Sequence, residues 1–130
     1  MERVELRVLE SSCCGFQYKI DLNNTKQYRN ERIQATLLGI ECDYEVMAYA
    51  RACCQAFLHF QGFADHKSVT SGDGGTLHFS IRQKDGIKYL FITAIRSGEI
   101  YSKEDYYDYQ DVSQLDFALN LCLRHVLDRR

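Results

Sequence analysis

Apolar and polar residues alternate with a period of two along the early chain, and the period lengthens to that of a helix further on. Val4, Leu6 and Val8 oppose Glu5 and Arg7, so Glu2 to Leu9 reads as a first strand. Gly15 to Leu22 alternates more cleanly, with Phe16, Tyr18, Ile20 and Leu22 facing in and Gln17, Lys19 and Asp21 facing out. A polar connection beginning at Asn23 then leads to the apolar run Ile33 to Ile40, which predicts a third strand. Asp43 is placed to cap a helix bearing Val46, Tyr49, Ala50, Cys53, Phe57 and Phe60 on one side. Gly62 ends it, for a length of about 18 residues.

Ala64 to Gly75 is too polar and glycine-rich for either period and predicts a mobile connector. Thr76 to Arg82 alternates through Leu77, Phe79 and Ile81, Asp85-Gly86 supplies a tight turn, and Ile87 to Arg96 returns as an apolar strand. Ser97-Gly98 marks another turn. A further strand is expected from Ile100 through Tyr106, Tyr107 and Tyr109. Ser113 with Asp116 resembles a capping box, and Leu115, Ala118, Leu119, Cys122 and Val126 form the stripe of a closing helix.

The order is therefore strand, strand, strand, helix, occurring twice: an α+β domain spanning 1–130, with a largely antiparallel sheet of about six strands and two helices on one face. Laying Asp43 on Asp111 pairs Tyr49 with Phe117, Ala50 with Ala118 and Cys54 with Cys122, and Gly15-Phe16-Gln17-Tyr18 resembles Gly86-Ile87-Lys88-Tyr89. These matches suggest pseudo-repeats over 1–63 and 75–130. The return strand is apolar on both faces, Leu90, Ile92 and Ala94 alternating with Ile87, Tyr89, Phe91 and Ile95. Helices on one side, and a second subunit or more chain on the other, are expected to cover it, so a homodimer is one reading.

With 45% hydrophobic and 26% charged residues the chain has the balance of a folded protein. A net charge of −2 lacks the strong positive field of a nucleic-acid binder, so nucleic acid is not the expected partner. Lys19, Lys26, Tyr28, Arg29 and Arg32 mix basic and aromatic character, but Asp21 and Glu31 balance them. Acids near the N-terminus and the absence of a run of roughly 18 apolar residues predict a cytoplasmic protein without a membrane span. Six cysteines, Cys13, Cys14, Cys42, Cys53, Cys54 and Cys122, include two adjacent pairs. Three of them lie within helical stripes, so reduced core thiols are expected in place of a disulfide framework.

Catalytic motifs are weak. Cys53 and Cys54 fall mid-helix, away from an activating helix N-terminus, and no base is placed beside Cys13 or Cys14. Cys-x-x-Cys and paired histidines are lacking, and adjacent cysteines on a strand point to opposite faces, so no metal is expected. Ser71-Gly72-Asp73-Gly74-Gly75 lacks the lysine of a phosphate loop. No cofactor is implied.

The most unusual segment runs from Glu99 to Asp116. It sets Glu99, Glu104, Asp105, Asp108, Asp111 and Asp116 against the single Lys103, a local charge of −5, with tyrosines interleaved. Carboxylates steer and pair basic side chains, and tyrosine adds stiff contact area with a hydroxyl. The segment predicts a non-enzymatic protein-binding module, of the inhibitor or immunity type met in phage and bacterial defence. It would cover a basic surface of a toxin or nucleic-acid-processing enzyme with Tyr101, Glu104, Asp105, Tyr106, Tyr107, Asp108, Tyr109 and Asp111. A polar sheet edge accounts for the same residues more simply, since acids also guard edges. A small enzyme with a reactive cysteine and a homo-oligomeric structural subunit are the rival readings.

Overall fold

A computed structural model of the chain describes residues 8–21, 33–59, 67–96, 98 and 102–127, apart from the side chains of 8, 9, 21, 102, 126 and 127. Most of the expected first strand, together with Leu22, Phe60, Gly62 and Tyr101, lies outside the described residues. The elements in chain order are β1 (Val8–Cys13), β2 (Phe16–Asp21), β3 (Ile33–Leu37), β4 (Ile40–Glu41), α1 (Tyr44–Leu58), β5 (Lys67–Thr70), β6 (Thr76–Lys84), β7 (Ile87–Ile95), β8 (Ser102–Tyr107) and α2 (Tyr109–Leu127).

The class is α+β, but the strands form two antiparallel four-stranded sheets, β1-β2-β3-β4 and β5-β6-β7-β8, instead of one sheet of about six. Two short strands account for the difference. The apolar run Ile33 to Ile40 folds back on itself at Leu38-Gly39, so Leu37 pairs with Ile40 and the run becomes β3 and β4. Leu38 and Gly39 have φ of 49° and 82°, as a two-residue primed hairpin turn requires, and a leucine gives no warning of such a turn. β5 lies in the stretch expected to be a mobile connector. It sits at the sheet edge with Lys67, Ser68 and Thr70 exposed, so it has little need of an apolar period.

The glycine-rich turn after β5 is also tied down. Ser71 is buried, its hydroxyl donates to the Glu41 carbonyl at 2.7 Å, and its N–H donates to the Gly75 carbonyl at 2.7 Å. Asp73 Oδ1 accepts from Gly75 N at 2.9 Å, which holds the Asp73 carboxyl below its usual range. This turn links the two sheets.

Asp43 caps α1 as expected, its Oδ1 accepting from Val46 N at 2.9 Å. α1 runs for 15 residues and closes at His59. Its buried side is Val46, Met47, Ala50, Cys53, Cys54 and Phe57. α2 begins earlier than the Ser113–Asp116 pair implies. Asp108 Oδ1 accepts from Asp111 N at 2.8 Å, and Asp111 Oδ2 lies 3.4 Å from Asp108 N, so the capping box is Asp108–Asp111. Tyr109, expected in a strand, starts the helix.

Counted from these caps, Met47, Ala50, Cys53, Cys54 and Phe57 correspond to Val112, Leu115, Ala118, Leu119 and Cys122, all buried. The core alignment is thus shifted from the one that placed Asp43 on Asp111. α1 and α2 pack on each other, α1 approaches β5 of the second sheet, and α2 approaches β1 and β2 of the first as well as β7 and β8. Tyr49 on α1 meets Phe79 on β6 with ring centroids 6.0 Å apart, while Gln55 Nε2 donates to Asp116 Oδ2 at 2.8 Å between the helices. Arg51 Nε stands 3.7 Å from Asp116 Oδ1, an ion pair too long to be a hydrogen bond. One hydrophobic cluster joins both sheets and both helices.

Candidate functional site

Among the described residues β8 is an edge strand, paired only with β7, in a register that sets Tyr106 opposite Phe91, Asp105 opposite Ile92 and Glu104 opposite Thr93. Alternation sends Glu104 and Tyr106 to the outer face and Asp105 and Tyr107 to the side of Ile92 and Leu90, which are buried. Asp105 stays exposed at the edge, and its Oδ1 accepts from Tyr106 N at 2.9 Å.

Tyr107 does not belong to the surface. It is 1% exposed, and its hydroxyl donates to the Cys14 carbonyl. Burial, followed by the nearby Asp105 carboxylate, pushes its phenol well above the usual range. The partner-binding role expected for Tyr107 is therefore replaced by a core role, because the pleat turns its ring inward beside Leu90.

The outer face of the second sheet carries a ladder of stacked side chains that the sequence reading did not assemble. The Tyr106 ring lies 4.5 Å from Phe91 and meets Tyr89 edge-on at 6.0 Å. The Arg82 guanidinium covers Phe91 at 4.2 Å from the ring centroid, and the Lys84 ammonium stands 5.9 Å from Tyr106. Phe91 is thereby reduced to 6% exposure by its own neighbours, and part of the cover expected from a second subunit comes from within the chain. Tyr106, Ile87 and Ile95 remain 43%, 52% and 37% exposed. Cross-strand pairing in the β6–β7 hairpin was the available signal: Arg82 is opposite Tyr89 and Ser80 opposite Phe91. Among the described residues the outer face of the first sheet shows no such ladder; Glu10, Ser12, Gln17, Lys19 and Gln34 are all exposed there.

Asp108 and Tyr109 extend the exposed segment into the first turn of α2, where Tyr109 is 56% exposed. Asp111 is half-buried, with the Cys14 sulfur 3.9 Å from its Oδ1. Glu104, Asp105, Asp108 and Asp111 form no ion pair with a described cation; the salt bridge found among the described residues is Arg51–Asp116. Asp108 and Asp111 instead hold each other's backbone N–H groups at the helix start, where the dipole favours negative charge.

The six cysteines are free. Burial pushes the Cys42 and Cys53 thiols up to about 12 and Cys122 up to about 11, and raises Cys54 well above its usual value. Cys14 is likewise raised to about 12, first by burial and then by its bond with Cys13. The four buried sulfurs are held as neutral thiols, the opposite of an activated nucleophile. Among the described residues no group of three or more His, Cys, Asp or Glu is arranged to hold a metal ion, and no helix is long and apolar enough to cross a membrane. No protein-family model and no curated protein matches the chain.

Proposed function

We propose that the chain is a non-enzymatic protein-binding module, of the inhibitor or immunity type, that covers a basic surface with β8 and the first turn of α2. The observation that carries this reading is the exposed row Glu104, Asp105, Tyr106, Asp108 and Tyr109, whose carboxylates have no described cation as partner. Exposed carboxylates of this kind pair with lysine and arginine, and flanking tyrosines supply contact area that excludes water. The proposed partner-binding set also includes Tyr101, which lies outside the described residues.

Affinity capture from the native host tests it, with wild type and a Glu104→Lys/Asp105→Lys/Tyr109→Ala variant side by side. These three side chains are exposed and outside the core, so the variant keeps its fold. A basic protein retained by the wild type at low salt, released by moderate salt and missed by the variant supports the reading. Equal retention by both would defeat the site assignment. A second reading, self-association through the outer face of β5-β6-β7-β8, is favoured by the exposed Ile87, Ile95 and Tyr106, and sedimentation equilibrium over a concentration series tests it.

A further inference from the structure

Neighbouring side chains on a strand point to opposite faces, which ought to separate Cys13 from Cys14. In the β1–β2 hairpin they converge. Cys13 pairs with Phe16, leaving Cys14-Gly15 as a two-residue turn with φ of 56° and 77°. Positive φ is uncommon for a residue with a side chain and rotates the Cys14 side chain back toward Cys13, so the two sulfurs stand 3.2 Å apart. The turn is clamped from two sides. The Tyr107 hydroxyl donates to the Cys14 carbonyl, and a Cβ on Gly15 would fall 2.7 Å from Leu38 Cδ2. On the α2 side the Cys13 sulfur lies 3.5 Å from Gln114 Oε1 and the Cys14 sulfur 3.5 Å from the Asp111 carbonyl. Both cysteines are partly exposed, unlike the four buried ones.

We propose that Cys13 and Cys14 form a redox-active vicinal pair, closed to a disulfide by a peroxide and reopened by a small thiol. The sulfurs need to close from 3.2 Å to the roughly 2.05 Å of a disulfide, and because adjacent Cα atoms lie only about 3.8 Å apart, closing the eight-membered ring also twists the Cys13–Cys14 peptide. Cys14 faces the Asp111 carbonyl and carboxylate, which oppose negative charge on its sulfur, so Cys13 is the sulfur that attacks. It takes one oxygen of hydrogen peroxide as the O–O bond breaks, giving the Cys13 sulfenic acid and one water. The Cys14 sulfur then attacks Cys13, the S–O bond breaks, and the departing hydroxyl leaves with the Cys14 proton as a second water. Two thiols have lost two electrons to the peroxide. Two equivalents of a small thiol return them by exchange, becoming a disulfide themselves. The inference rests on the turn alone and stands or falls separately from the binding role of β8.

The test uses the full native chain, treated with equimolar hydrogen peroxide, quenched with a maleimide under denaturing conditions and digested for mass spectrometry. Two of the six thiols should escape alkylation, in one peptide containing Cys13 and Cys14 that is lighter by two hydrogens, and dithiothreitol should restore both. In Cys14→Ser the reaction should stop at a Cys13 sulfenic acid that dimedone traps. Full alkylation of Cys13 and Cys14, oxidation beyond the sulfenic acid without ring closure, or loss of thiols from the buried four instead would each overturn the proposal.

Discussion

Raising the pH should unfold this protein through its buried thiols. Cys42, Cys53, Cys54 and Cys122 are at most 5% exposed, and burial lifts each well above the value of 9.0 that it has in the unfolded chain. The folded form holds its thiol protons where the unfolded chain has released them, so the stability they contribute is complete below pH 9 and is lost as pH rises toward 11 to 12. Above pH 9 each such thiol removes about 1.4 kcal/mol per pH unit, and Cys42, Cys53 and Cys122 together remove about 4 kcal/mol by pH 10, with Cys54 adding to the loss. That rivals the whole stability of an ordinary domain, roughly 5–15 kcal/mol. Urea unfolding followed by circular dichroism, with reductant present and pH stepped from 7 to 10.5, measures it. The expected result is a flat stability to about pH 8.5 and then a steep fall. Replacing Cys53 with Ala should lower the slope above pH 9 by about 1.4 kcal/mol per unit, whatever it does to stability at neutral pH. A midpoint that stays level through pH 10 would refute the burial of these thiols.

Removing the Tyr107 hydroxyl with Tyr107→Phe should cost about 1 kcal/mol and Tyr107→Ala about 3–5 kcal/mol, since the first loses one hydrogen bond and the second opens a cavity. Calorimetry reads these as a melting shift of about 3–5 °C per kcal/mol, and an unchanged Tyr107→Phe would mean that the bond to Cys14 is not made. Asp108→Ala should cost about 1 kcal/mol in urea unfolding, through loss of the α2 cap. A larger loss from Ser113→Ala than from Asp108→Ala would restore the later helix start.

The elements with a strong period were legible in the sequence, and those fixed by a single turn or edge were not. Phe16, Ile20, Leu77, Phe79, Leu90 and Ile92 are buried as their alternation predicts, and Asp43 caps α1. The split of Ile33–Ile40 was hidden because backbone φ at Leu38, not hydrophobicity, makes that turn. β5 was hidden because an edge strand pairs through its backbone and leaves its side chains to solvent. The start of α2 was misplaced because two Asp-or-Ser pairs at capping spacing, Asp108–Asp111 and Ser113–Asp116, compete in the sequence. The second pair's Asp116 is engaged instead with Gln55 and Arg51 of α1, contacts that only the packed helices create. The site was legible as a segment but not as a surface, since the pleat sends Tyr106 and Tyr107 opposite ways and gives the inner one to the core.

That division bears on how the proposed surface would work. Counted from their caps, Met47, Ala50, Cys53, Cys54 and Phe57 of α1 coincide with buried positions of α2, an agreement confined to inward positions. The outward faces of the two sheets differ: polar on β1 and β2, aromatic and cationic on β6 and β7. Within the acidic segment, Tyr107 serves the core, while Asp108 and Asp111 already accept hydrogen bonds from the helix start. A partner's lysine or arginine would have to compete for those two carboxylates, whereas Glu104 and the second oxygen of Asp105 offer acceptors with no described partner. Direct pairing should therefore centre on β8, with Tyr106 and Tyr109 as its apolar flanks and the two cap carboxylates contributing mainly long-range steering.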